Sequence, residues 1–189
     1  MKKQPIIVLF VGIPGSGKTT FSRALAEKLR AVLLNSDSIR IWMWGSLEEI
    51  HKNHETVEGR ADANKLTFGA LNYAANQVLA SGQNVVYDCN ANHVSERQEK
   101  HNIADKNGAL SVVVRMRVPY EVSLERVQYR DEAHDQRRFS LEKAETILQR
   151  FSKEIEEPDE NERVIFIDGQ ATFDEQYAVF EKALTQFYE

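Results

Sequence analysis

Gly12-Ile13-Pro14-Gly15-Ser16-Gly17-Lys18-Thr19 fits the pattern Gly-x-x-x-x-Gly-Lys-[Ser/Thr]. Glycines at these places let the backbone curl until successive N–H groups face an anion. The lysine sets a cation against β- and γ-phosphates, and the threonine offers a hydroxyl to Mg²⁺. The spacing predicts ATP with Mg²⁺, bound by Gly12, Pro14, Gly15, Ser16, Gly17, Lys18, Thr19 and the adjoining Thr20. A loop of this kind establishes nucleotide binding alone, because GTPases, motor ATPases and small-molecule kinases all carry it. What happens to the γ-phosphate must be read from the residues facing it.

Two carboxylates stand where such chemistry needs them. Asp37, in Asn35-Ser36-Asp37-Ser38-Ile39-Arg40, follows a short apolar run, which puts it at the carboxyl edge of a sheet, where open α/β folds bind ligands. Phosphoryl transfer to a hydroxyl wants a carboxylate that orients the nucleophile and takes its proton, so Asp37 is the expected general base. Arg40, three residues on and on the same helical face, suits an acceptor anion or the γ-phosphate. The same pair also reads as a helix cap and a surface charge. Asp88, at the end of Val85-Val86-Tyr87, resembles the carboxylate that organises Mg²⁺ water, making Thr19 and Asp88 the expected metal-side residues. An Asx turn that ends the strand is the alternative there. Farther on, Arg126, Arg130, Arg137 and Arg138 bracket the polar segment 131–136, as a hinged basic lid would. Arg130 is the first expected to neutralise transition-state charge and Arg126 the second. Ordinary Arg/Glu pairs on a solvated helix explain the same residues without a lid.

Asp37-x-x-Arg40 after the phosphate loop, followed by Asp88-Cys89-Asn90-Ala91-Asn92 and Arg97, resembles the polynucleotide-kinase-like branch of the P-loop kinases, with the zeta-toxin-like proteins close by. The resemblance implies Asp37 as general base, Arg40, Asn90 and Arg97 on the acceptor side, and an arginine-bearing lid over ATP. It implies a kinase whose acceptor hydroxyl is the 5′-hydroxyl of a polynucleotide or nucleotide. Relatives of this layout phosphorylate small molecules or act as toxins, so those acceptors stay open, as does a non-catalytic ATP-dependent regulator.

Positioning these groups requires strands alternating with helices. Ile6 to Val11 is a continuous apolar run, the mark of a strand buried on both faces. Ala31 to Leu34, Asn84 to Tyr87, Ser111 to Val118 and Val164 to Ile167 are shorter runs of the same kind. Helical periodicity covers Lys18 to Arg30, Ala61 to Ala80, Glu96 to Lys106, Tyr120 to Tyr129, Leu141 to Ile155 and Phe173 to Phe187, with Gly82 and Gly108 as stops. The alternation predicts a three-layer α/β P-loop NTPase fold with a five-stranded parallel sheet and helices on both faces. One domain, 1–189, is expected, with the acceptor region near 37–64 and the lid near 126–139.

Bulk composition narrows the partners. A net charge of −5 over 189 residues gives no global basic field for duplex nucleic acid. The one cysteine, Cys89, has no disulfide partner, and the first apolar run is too short for a signal segment or a membrane span, so a cytoplasmic protein is expected. Trp42 and Trp44, just after Arg40, could stack on an acceptor base but read first as core residues, as do Met43, Met116 and Cys89, and His51 and His54 read as solvated.

Overall fold

The computed structural model describes residues 4–46, 49–50, 56–129 and 140–188. Strand β1 (Ile6–Val11) is buried along its whole length. It can be so because it lies at the centre of a five-stranded sheet of order β2-β3-β1-β4-β5. Its partners are β2 (Val32–Asn35), β3 (Val85–Asn90), β4 (Leu110–Arg117) and β5 (Val164–Asp168), every pairing parallel. A parallel strand covered on both faces needs apolar residues at every position, which is why its sequence shows no alternation.

The two faces divide the strand residues by parity. On one, Ile6, Val8 and Phe10 pack with Phe21 and Leu25 of α1 (Lys18–Leu29) and Phe180 and Leu184 of α7 (Phe173–Phe187). On the other, Ile7, Leu9 and Val11 meet Leu71, Ala75 and Leu79 of α3 (Val57–Ala80) and Ala104 of α4 (Val94–Lys106). Each large aliphatic side chain so buried contributes about 1.5–3 kcal/mol. A separate cluster joins Val127 of α5 (Tyr120–Tyr129) to Ala144 and Leu148 of α6 (Leu141–Glu154), with Ile13 of the phosphate loop packed against it. The two helices that flank the expected lid therefore rest on the loop they would cover.

Local chemistry sets the element ends. Arg30 closes α1 at φ 49°, and Gly82 and Gly108 follow α3 and α4 at φ 81° and 60°, conformations that end a helix. Thr172 and Glu175 cap α7 reciprocally, Thr172 N donating to Glu175 Oε2 at 2.8 Å. Strand β3 differs from expectation: it does not stop at Tyr87 but continues through Asp88 to Asn90. Its register against β1 jumps from Leu9↔Tyr87 to Phe10↔Asn90, so Asp88 and Cys89 form a bulge, the device by which a sheet re-aims side chains near a site. Among the described residues no helix is long and apolar enough to cross a membrane.

Candidate active site

The sheet order places β1 beside both β3 and β4, the point where successive connections run to opposite sides and where α/β folds form their ligand crevice. A cleft of about 1090 Å³ opens there. Pro14, Gly15, Gly17, Lys18, Thr19 and Thr20 line one part and Asn35, Asp37, Arg40, Asn64 and Phe68 another, with Asp88 and Asn90 between them. Gly12 and Ser16, expected among the nucleotide contacts, stand behind this lining. Gly12 N donates to Asn92 Oδ1 at 3.0 Å, and Ser16 is fully buried.

The loop is held in shape from three sides. Gly15 has φ 80°, and a Cβ there would lie 2.7 Å from the Ser123 carbonyl of α5, so both its conformation and its contact require glycine. Lys18 Nζ donates to the carbonyls of Gly12 and Ile13, both at 2.8 Å. Burial pulls the Lys18 ammonium down to about 7, the Asp88 carboxylate opposing and Arg115 adding to the fall. Arg126, from α5, donates through one terminal nitrogen to Gly169 O at 2.8 Å and Gly15 O at 3.3 Å, tying the loop to the segment after β5. Arg130, Arg137, Arg138 and segment 131–136 lie outside the described residues, as do His51 and His54.

On the metal side, Thr19 Oγ1 is 3.5 Å from Asp88 Oδ1, and Asn35 Nδ2 donates to Asp88 Oδ2 at 2.7 Å. Burial raises the Asp88 pKa, opposed by hydrogen bonds from Asn35 and Ser22 and by the charges of Lys18 and Arg23. A hydroxyl and a carboxylate beside the loop lysine suit a hard cation that keeps most of its water and takes few protein ligands. No cluster of three or more His, Cys, Asp or Glu fit for a metal occurs among the described residues.

On the acceptor side, Asp37 sits in the first turn of α2 (Ser36–Trp44), its side chain half exposed to the cleft. Arg40 spans from α2 to α3. It donates to Asp37 Oδ1 at 3.1 Å and Asn64 Oδ1 at 3.0 Å and lies over the Phe68 ring, 5.5 Å from its centroid. Its Nε is buried without an acceptor among the described residues. Asn90 is exposed at the cleft.

Arg97 does not join them. Fully buried, it donates through Nε to Glu162 at 2.7 Å and through NH1 to the carbonyls of Ala91 and Asn92, clamping the turn that carries Asn92 under the loop. Its spacing from Asp88 holds, but its side chain points into the fold. Trp42, read as a core residue, is 84% exposed. Cys89 and Met116 are buried as expected, and burial pushes the Cys89 thiol up to about 12, with Ser36 opposing, which leaves it unreactive.

The cleft also contains residues the sequence reading passed over. Gly169, Gln170 and Ala171 after β5, with Phe173 and Gln176 of α7, close the nucleotide end. Asp168-Gly169 at the end of an apolar run is the same signal that marked Gly12 and Asp88.

Residues 7–154 match the family described as the AAA domain. The chain belongs to that family. Solved structures similar to this AAA-domain chain include a candidate kinase from Chloroflexus aurantiacus, at 20% identity and TM-score 0.70, covering 98% of this chain and 99% of that one. A gluconokinase from Sinorhizobium meliloti is 22% identical at TM-score 0.63, covering 98% and 94%. The APS kinase of Mycobacterium tuberculosis, solved with AMPPNP and APS, is 16% identical at TM-score 0.60, covering 96% and 98%. These likenesses show a P-loop kinase-like fold. No functionally curated protein is significantly similar in sequence.

Proposed function

We propose that this protein is an ATP-dependent kinase that phosphorylates a hydroxyl of a small molecule. One observation carries the reading: the phosphate loop and the Asp37–Arg40 pair line the same cleft, so a triphosphate and an acceptor would share one chamber. A protein that only sensed ATP would need the first half of that cleft and not the second.

In this reading the loop amides and Lys18 would hold the β- and γ-phosphates, Thr19 would offer its hydroxyl to Mg²⁺ and Asp88 would organise the water around it. The cation supplies charge neutralisation when bound. Arg40 fixes one oxygen of Asp37, leaving the other to accept the hydrogen of the acceptor hydroxyl. The hydroxyl oxygen forms its bond to the γ-phosphorus, the bond from that phosphorus to the β–γ bridging oxygen breaks, and ADP leaves. The hydroxyl proton passes to Asp37. Arg126 stands at the loop, and Arg130, outside the described residues, is the further group the sequence assigns to the charge on the transferring phosphoryl.

A small acceptor is favoured over a nucleic acid end by the net charge of −5 and by the named substrates of similar folds, gluconate in one and APS in another. The 5′-hydroxyl reading rests on the resemblance carried by Asp37-x-x-Arg40, Asp88-Cys89-Asn90-Ala91-Asn92 and Arg97. Transfer of labelled γ-phosphate in the presence of Mg²⁺ decides between them, run against sugars, hydroxylated acids, nucleosides and 5′-hydroxyl oligonucleotides. A small acceptor is expected to be labelled by the wild type, with a loss of about 10²–10⁴-fold in Asp37→Ala. Labelling of oligonucleotides alone would return the acceptor to nucleic acid, and equal labelling by the variant would remove Asp37 as the base.

A further inference from the structure

Asn35 is the last residue of β2 and pairs in register with Asp88 of β3. Its backbone is extended, at φ −113° and ψ 127°, and its side chain does two things at once. Oδ1 accepts the N–H of Ser38 at 2.7 Å, capping α2, while Nδ2 donates to Asp88 Oδ2 at 2.7 Å. A flipped amide would set its NH₂ against the Ser38 N–H and its oxygen against the carboxylate, so the two partners together fix the orientation.

We infer that Asn35 is a positioning residue that locks the metal-side carboxylate and the acceptor helix into one unit. The inference rests on the kinase reading above and concerns how its two halves are aligned. With Oδ2 of Asp88 held by the amide, only Oδ1 is directed to Thr19 and the phosphate loop. On the other side, the cap sets the first turn of α2, and Asp37 lies in that turn. The general base and the metal-side carboxylate are thus connected through a single side chain, with no flexible segment between them. This explains the residue type. Serine or aspartate would keep a cap, but serine is too short to reach Asp88 as well, and aspartate would set two carboxylates in contact. Glutamine, longer by a methylene, would leave the cap.

Capping alone and positioning make opposite statements about those replacements. Asn35→Ser, Asn35→Asp and Asn35→Ala are compared for cooperative unfolding and for the Mg²⁺ dependence of AMPPNP binding by titration calorimetry. Acceptor turnover, as kcat and KM, is compared on whichever acceptor the wild type uses. Positioning predicts that Asn35→Ser folds like the wild type and binds AMPPNP unchanged without Mg²⁺. It then loses the Mg²⁺-dependent gain in binding, and kcat with it, by about 10–100-fold, the usual effect of removing a partner of a metal-site ligand. Only Asn35→Ala loses the cap in addition. If Asn35→Ser and Asn35→Asp match the wild type in Mg²⁺-dependent binding and only Asn35→Ala is impaired, Asn35 is a helix cap and the inference fails. The calorimetric arm needs no acceptor. Failure of the kinase reading would show instead as a wild type that transfers no phosphate while its Mg²⁺-dependent binding still responds to Asn35.

Discussion

Lys18 sits half-buried with its ammonium turned onto loop carbonyls, and burial has lowered its pKa to about 7. A bound triphosphate puts anionic oxygens beside Nζ and raises that pKa, since an opposite charge favours the charged form. Because the bound value exceeds the free one, binding takes up a proton between about pH 7 and the bound value, and affinity falls as pH rises through that window. Calorimetry of ATP binding at pH 8, in two buffers of different ionisation heat, should give an uptake approaching one proton in the wild type. In Lys18→Arg, whose guanidinium stays charged throughout, there should be none. Equal uptake in the two proteins would assign the proton elsewhere. Residue identity told this much of the loop in advance, because the chemistry of Lys18 and Thr19 follows from their places in the motif. It misled at Arg97. Spacing carries no sign of which way a side chain points, and nothing in the sequence announced that Glu162, far along the chain, would receive that guanidinium inside the fold.

At the scale of elements, the segment after β5 bears directly on the loop. A Cβ added to Gly169 would overlap the Ser16 carbonyl oxygen, and backbone cannot yield there as the end of a flexible side chain would. Gly169→Ala should therefore displace the phosphate loop and weaken nucleotide binding, with overpacking of about 1–3 kcal/mol shared between affinity and stability. Gly69 is the matched control: it lies mid-way along α3 with open space where a Cβ would go. Gly69→Ala should stabilise the fold by about 0.5–1 kcal/mol and leave nucleotide affinity unchanged, as urea unfolding and calorimetry would show. An unaltered affinity in Gly169→Ala would mean the loop tolerates the intrusion. The strands and helices were legible because buried parallel strands need unbroken apolar runs and amphipathic helices a regular stripe; β1, α5 and α7 match their sequence bounds. Invisible were the contacts between elements. The bulge that extends β3 through Asp88 depends on its partner strand, the bridge of Asn35 to Asp88 on the pairing of β2 with β3, and the approach of Gly169 to Ser16 on where β5 docks. Exposed Trp42 belongs with these, since an aromatic residue is placed by what packs over it, and among the described residues nothing covers it.

For the molecule as a whole, the site joins elements from both ends of the chain, with the phosphate loop near the start and Gly169 to Gln176 near the finish lining one cleft. Ligand bound there holds together groups that unfolding would separate, so its binding free energy adds to global stability. At a hundredfold excess over Kd the gain is about 2.7 kcal/mol. For a chain of this size each kcal/mol moves Tm by about 2–4 °C, which puts the expected rise at about 5–11 °C with ATP and Mg²⁺. The two halves of the cleft then separate by mutation. Lys18→Ala should abolish the shift, because it removes the phosphate contact. Asp37→Ala should keep it whole while losing phosphoryl transfer, because the proposed reading gives Asp37 to the acceptor, and the residue it pairs with is Arg40 on the same helix. A shift lost in both variants would mean that Asp37 is part of the nucleotide site, and a shift retained in both would place ATP away from the loop. Only the divided result fits a cleft whose nucleotide and acceptor ends are joined in space and distinct in chemistry.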